Sequence, residues 1–386
     1  MTSYLDVHIL QSVPPSCINR DDTGSPKSAV YGGVRRARVS SQAWKRATRR
    51  AFNAEPIDAN IGVRTLEVVR MVADEIGEET SPEDATALAE AVVLAAGLKL
   101  EKNPKTNRQE TKYLVLVSRQ QAATLARVAT DALISAGGAV AAAKADIGKS
   151  RKAAKEALAQ GNSIDLALFG RMVADDTDLN VDASCQVAHA ISVHPADSEF
   201  DYFTAVDDIK EQARNADDGP ADAGAGMIGT VEFTSATLYR YATINVDLLA
   251  TNLGDRLMAQ RAIEGFVRSF ARSMPTGKAN TFANHTLPEA VVVCLRDDQP
   301  VSYVGAFEKP VTAANDSGYL APAVRQLVTM AHDIDSAYGT PARAVWTVGV
   351  GAAGEALESL GTRLAFVDLP AAAAAAAVNL GPEPVA

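Results

Sequence analysis

Residues 61–160 constrain the fold of this chain more than any other stretch. Ile61–Glu78, Pro82–Leu100 and Ser118–Gln160 are rich in Ala, Leu, Val and Glu and read as helices, with a Lys/Asn/Pro break at 102–108. The flanks read differently. Tyr4–Val13 is a strand ending at Pro14-Pro15, and Val34–Val39 is a second, shorter one. Val231–Val246 (VEFTSATLYRYATINV) is rich in β-branched and aromatic residues and long enough to cross a sheet. Asp255–Ser273 places Ile263, Phe266, Val267 and Phe270 on one helical face. Ala290–Leu295, Val301–Val304 and Ala344–Val348 read as strands, and Gly318–Tyr338 and Ala352–Leu360 as helices. This order predicts an α+β fold, an antiparallel sheet with helices on one face, interrupted by a large helical insertion. The alanine-rich tail from Pro370 reads as a frayed helix or disorder.

With 47% hydrophobic residues the chain is not disordered as a whole. Cys17, Cys185 and Cys294 are odd in number and far apart, so no disulfide framework is expected. The first residues lack the basic and apolar regions of a signal peptide, and no run of eighteen apolar residues occurs. The expectation is a soluble, cytoplasmic protein with no membrane partner.

A net charge of −10 argues against a nucleic-acid partner only as an average. Residues 1–50 hold nine basic side chains against three acids, and from Thr23 to Arg50 there are eight Lys or Arg and no acid. Binding depends on where charge sits rather than on its sum. Ser40 or Ser41 can cap a helix from Gln42 to about Phe52. At about 100° per residue, Gln42, Lys45, Arg46 and Arg49 fall within roughly a quarter of its circumference, and Ala43, Trp44, Ala47 and Ala51 lie opposite. Such a face, with the Ser40 hydroxyl and the helix N-terminus, suits phosphate oxygens spaced along a strand.

The run His8–Arg50, with PPS-x-x-NRDD followed by YGG-x-RRAR-V-SSQ-x-x-KRA, resembles the N-terminal signature of CasC-type (Cse4 family) backbone subunits of type I-E CRISPR Cascade complexes. DLALFGRM at Asp165–Met172, QVAHAISVH at Gln186–His194, FTAVDDIKEQ at Phe203–Gln212, LYRYATINVDLL at Leu238–Leu249 and, more weakly, AFEKPV at Ala306–Val311 are also similar to family stretches. The resemblance is weakest in 61–160, at Arg214–Met227 and in the tail.

It implies a modified RRM-like (ferredoxin-like) palm with a helical fingers insertion and a protruding thumb loop. The palm would comprise residues 1–60, 161–194 and 231–369, the fingers 61–160, the thumb 195–230 and the tail 370–386. It also implies a non-catalytic protein without cofactor that polymerises head to tail on CRISPR guide RNA, with other Cascade subunits, and presents guide bases to target DNA. Positions matching RNA-contacting segments are Arg20, Lys27, Arg38, Ser40, Gln42, Lys45, Arg46 and Arg49. Met172, after Arg171, matches the residue that wedges near a displaced base. Lys144, Lys149, Arg151, Lys152 and Lys155 are candidate nonspecific DNA contacts. Asp197–Asp222 holds nine acids and two bases, so acids such as Asp207 and Asp208 are candidates to meet basic groups on the next copy.

Other motifs point elsewhere. Asp21 and Asp22, paired beside the basic track, offer a metal-dependent ribonuclease as the alternative, although a turn orienting the neighbouring arginines is the better reading. Gly349–Gly354 is G-x-G-x-x-G, but too little chain follows for a nucleotide-binding half, so a tight turn is expected. Cys185, His189 and His194 are spaced C-x3-H-x4-H in an apolar run read as helical. They lack a fourth ligand, which favours packing over zinc.

Overall fold

The computed structural model describes residues 2–52, 61–77, 80–173, 176–205, 227–313 and 318–379. The chain opens with β1 (Tyr4–Ser16), β2 (Ser28–Tyr31), β3 (Val34–Val39) and α1 (Ser41–Ala51). The insertion holds β4 (Val63–Thr65), α2 (Val68–Ile76), α3 (Pro82–Ala95), β5 (Leu100–Lys102), β6 (Gln109–Thr111) and β7 (Val115–Val117). It continues through α4 (Arg119–Ser135), α5 (Val140–Lys149) and α6 (Arg151–Ala159). Then come α7 (Ile164–Phe169), β8 (Cys185–Val187), β9 (Ala190–Ser192), β10 (Glu199–Ala205) and β11 (Met227–Asn245). After α8 (Val246–Leu253) and α9 (Arg256–Arg272) follow β12 (Ala290–Arg296), α10 (Leu320–Tyr338), β13 (Ala344–Gly349), α11 (Ala352–Leu357), β14 (Thr362–Arg363) and α12 (Leu369–Val378).

The sheet runs β14-β13-β12-β1-β11-β9-β3-β2, with β8 and β10 also paired to β11. It is antiparallel except where β13 meets β14. β1 lies at its centre, aligned with β11 from Tyr4 opposite Asn245 and with β12 from Tyr4 opposite Arg296. Side chains of a strand alternate between faces. Leu5, Val7 and Ile9 therefore join Val291, Val293 and Leu295 in one core, against Ile263, Phe266, Val267 and Phe270 of α9. Leu10, Val292 and Cys294 point the other way, against Tyr303, Phe307 and the Ala323, Val324, Leu327 and Ala331 stripe of α10. Helices thus cover both faces, not one. The insertion buries its own cluster, centred on Val72, Leu88, Val92, Leu125 and Ile147.

Three local expectations are corrected. Val63–Thr65, where helix was expected, is strand β4 paired with β7, and β5 pairs with β6 around the break at 102–108. Val301–Val304 is no strand; Tyr303–Phe307 makes a 3-10 turn capped by Ser302, whose hydroxyl accepts the Val304 N–H. The tail is neither frayed nor disordered over 370–378. Ala373, Ala374 and Ala377 are buried in the core shared with α9, because alanine lets two helices approach closely without side-chain entropy to lose.

On the second sheet face, β1 buries Asp6 and His8. Asp6 accepts from the Tyr241 hydroxyl at 2.9 Å and the Val301 N–H at 2.9 Å, and lies 3.3 Å from the Arg296 guanidinium. His8 stacks on Tyr303 at 4.2 Å and shares a 2.9 Å hydrogen bond with the Tyr239 hydroxyl. Burial, then the Arg296 charge, lowers the His8 pKa to about 3. Because the folded value lies below the unfolded one, the unfolded chain takes up more protons, and this stability is lost as pH falls below the unfolded value. Acidifying from pH 7 to 5 is expected to cost about 2 kcal/mol through His8 alone. Urea midpoints of wild type and His8→Phe across that range check this; parallel curves would assign the loss to other groups.

Candidate nucleic-acid interface

The basic helix α1 is fixed from three sides. Ser40 is its N-cap, accepting the Ala43 N–H at 3.3 Å while its own N–H donates to Asn19 Oδ1 at 2.8 Å. Trp44 and Thr48 are the buried positions. Buried Arg240 lies 3.7 Å from the Trp44 ring centroid and 4.6 Å from that of Phe270. It donates to Gln11 Oε1 at 2.6 Å and to the Phe270 carbonyl. Burial pulls its pKa down to about 9, still above neutral pH, so α1 rests on a charged, aromatic-sandwiched guanidinium.

From this seat Gln42, Arg46 and Arg50 present one exposed edge. They face the 18–24 turn and Met274–Lys278 across a groove of about 1050 Å³, to which Arg20 and Lys278 add charge. Lys278 takes a left-handed backbone, φ 45°. Beyond the turn, Lys27, Arg35 and Arg38 meet Phe200 around a smaller hollow of about 460 Å³. Arg38 donates to the Ser28 carbonyl at 3.3 Å. Ser40 is buried, so it serves the groove as the cap of α1.

His189 completes this surface. Its Nδ1 accepts the Ser41 N–H at 3.0 Å, at the start of α1. Partial burial, then Arg38 and Lys27, lowers its pKa, which keeps the ring in the neutral form that can accept. The β2–β3 hairpin is locked by Arg36, whose buried guanidinium donates to the carbonyls of Ser192 at 3.0 Å and Phe307 at 2.9 Å. Gly32 (φ 58°) lies against the Glu308 carbonyl where a Cβ has no room, and Gly33 beside it takes a positive φ of 77°.

Lys45 and Arg49 lie on the adjoining flank of α1. Lys45 Nζ lies 6.0 Å from the Phe169 ring centroid. Arg49 is also tethered: its Nε is 2.6 Å from buried Asp165 Oδ2 and its Nη2 donates to the Gly62 carbonyl at 3.0 Å, so part of its guanidinium serves the fold. Arg171, by contrast, is corrected. It is 5% exposed, donating to the carbonyls of Leu179 and Leu158 at 2.8 Å each, and cannot reach a bound strand. Its neighbour Met172 is 82% exposed.

Among the DNA candidates, Lys144, Lys149, Arg151 and Lys152 are exposed on α5 and α6. Lys149 pairs with Asp146 at 2.9 Å and Lys152 with Glu156 at 3.9 Å. Lys155 departs from the expectation, bound by Asp176 at 2.7 Å and Asp178 at 3.3 Å, which cancels its charge toward phosphate. The acidic excursion begins and ends as a two-stranded ribbon, β10 with β11, exposing Phe200, Tyr202, Met227 and Ile228. Asp207 and Asp208 lie outside the described residues.

The remaining motifs have structural uses. Asp21 Oδ1 accepts from the Thr23 hydroxyl at 2.7 Å and the Thr23 and Ser25 N–H groups at 3.0 Å each, which holds its carboxyl below the usual range; Asp22 is exposed beside it. Gly349 and Gly354 close a tight strand-to-helix turn by backbone contact, and Arg363 fills its mouth. Cys185 is buried on strand β8, not on a helix, whereas His189 is exposed and His194 stacks on Tyr319 at 3.7 Å. Among the described residues no cluster of His, Cys, Asp or Glu has metal-holding geometry, and no helix is long and apolar enough to cross a membrane.

The sequence assigned no role to Arg35, Arg50, Lys278 or Asp165, and it read His189 as packed, whereas it is exposed. Arg50 was legible, because Gln42, Arg46 and Arg50 are spaced i, i+4, i+8. Lys278 and His189 reach the site only through tertiary folding.

Comparison with known proteins follows the same lines. Solved chains from two complexes are similar over nearly their whole length. One, described as a CRISPR RNA-guided surveillance complex, pre-nicking, is 32% identical with a TM-score of 0.79, covering 97% of this chain and 100% of that one. The other, described as a CRISPR RNA-guided surveillance complex, is 29% identical with a TM-score of 0.70, covering 97% and 99%. No curated protein matched. The family described as CT1975-like protein matches residues 5–368, from the first strand to the end of the second core, and the chain belongs to that family.

Proposed function

We propose that this chain is a non-catalytic backbone subunit of a type I-E Cascade surveillance complex. Copies polymerise head to tail along CRISPR guide RNA, beside other Cascade subunits, and present guide bases for pairing with target DNA in antiviral defence. The observation that carries this reading is the groove beside α1. Gln42, Arg46 and Arg50 form one wall, Arg20 and Lys278 stand at its rim, and the adjoining hollow adds Lys27, Arg35 and Arg38. Donors spaced along such a track hold phosphates without reading bases, which suits a protein that leaves sequence recognition to the guide.

On the adjoining flank of α1, Lys45 lies by Phe169, three residues before exposed Met172. An apolar side chain projecting beside a phosphate track can enter between stacked bases and part them. The likeness to chains of RNA-guided surveillance complexes supports this assignment.

The test is to purify the protein co-expressed with guide and partner subunits, then size its RNA before and after incubation in Mg²⁺. RNA of one length, intact afterwards, is expected. An RNA-free monomer sinks the backbone role, and RNA shortened by Mg²⁺ sinks the non-catalytic one.

A further inference from the structure

Two adjacent residues, Arg171 and Met172, occupy opposite environments, one buried and one almost fully exposed. The backbone between them is held rigidly. Arg171 exchanges both backbone hydrogen bonds with Val181, at 3.0 and 2.8 Å, and Gly170 (φ 77°) comes so close to the Val181 carbonyl that a Cβ would lie 2.7 Å from it. Both side-chain anchors of this segment reach α6. Arg171 Nη2 holds the Leu158 carbonyl, and Lys155 Nζ holds Asp176 and Asp178. α6 is in turn tied down by Gln121 of α4, whose amide donates to the Leu158 carbonyl at 2.7 Å.

We propose that the Lys155–Asp176–Asp178 clasp, acting with buried Arg171, positions Met172, so that the helical insertion sets where the wedge stands against the guide. The inference rests on the reading of Met172 as the side chain that parts guide bases. Lys155 is then a positioning residue rather than a DNA contact. A lysine held by two carboxylates offers little net attraction to phosphate, whereas the same two pairs join the insertion to the segment carrying Met172.

The test uses the complex assembled on guide RNA and maps base reactivity with dimethyl sulfate, which methylates unpaired adenine and cytosine. Wild type is expected to show peaks at regular intervals, and Met172→Ala to flatten them. Lys155→Ala should lower the contrast between peaks and troughs by about two- to fivefold, as loss of a partly exposed ion-pair network permits. Guide retention and melting midpoint should be unchanged. Lys155→Arg should keep the contrast, and Lys155→Glu with Asp176→Lys should restore it. Arg171→Ala is avoided, since it takes the Arg171 donor from the Leu179 carbonyl, leaves Leu158 to Gln121 alone and can unfold the segment. Wild-type contrast in Lys155→Ala, alongside a flattened Met172→Ala map, overturns the clasp while sparing the wedge. Equal loss of guide retention or of melting midpoint in Lys155→Ala also overturns it, by making the clasp generally structural. Identical wild-type and Met172→Ala maps refute the wedge, and the clasp's role with it.

Discussion

Replacing Lys45, Arg46 and Arg50 together with alanine is expected to weaken guide RNA binding about 10²-fold near physiological salt, equally for guides of unrelated sequence. In the proposed role each of these side chains makes one phosphate contact, so each loss also removes the counterion release that accompanies it. The plot of log affinity against log salt should therefore become shallower by about 2, at about 0.7 for each contact to a single strand. Arg46 and Arg50 are exposed and Lys45 is half-buried against Phe169, so the fold should be unaffected. A salt titration with two guides checks both numbers. Loss confined to one guide, or an unchanged slope, would remove phosphate contact as the explanation. Arg49 is left out deliberately, because its guanidinium is occupied by Asp165.

That exclusion shows where sequence reasoning stops. The basic helix was legible because its signals are local: Ser40 three residues before Ala43, Trp44 among small residues, and cations one turn apart. Those signals place a side chain on a helix face but not against its partner. Asp165 is 116 residues from Arg49, and nothing in helical spacing separates Arg49 from Lys45. The same limit hid His189, which reaches Ser41 across 148 residues.

Other errors have a different cause. Val301–Val304 has strand composition, yet Asp6 captures the Val301 N–H and the Tyr239 hydroxyl captures that of Tyr303, so a 3-10 turn wins. The alanine run read as a frayed helix or disorder, but its smallness is what fits it against α9. Family resemblance found Arg171-Met172 as a unit; only the side-chain environments divide the pair into an anchor and a projection.

Asp165→Ala should be the most destabilising of the substitutions considered, at about 3–5 kcal/mol, the range for breaking a buried ion pair. The Asp165 carboxylate is fully buried and accepts from four groups: Arg49 Nε at 2.6 Å, the Gly62 N–H at 2.7 Å, the Ser163 hydroxyl at 2.7 Å and the Leu166 N–H at 3.1 Å. Alanine strands donors from the end of α1, from the entry to the insertion and from the start of α7. Arg49→Ala removes one donor but leaves a buried carboxylate without its cation, so it should cost nearly as much. The double variant should cost less than the sum, because the second loss no longer breaks a pair. Urea midpoints at constant m-value measure all three. Strict additivity would show that Arg49 and Asp165 do not act on each other. Since Arg49 sits on the basic helix and Asp165 seven residues before Met172, this single carboxylate also links the track proposed to hold the guide to the side chain proposed to part its bases.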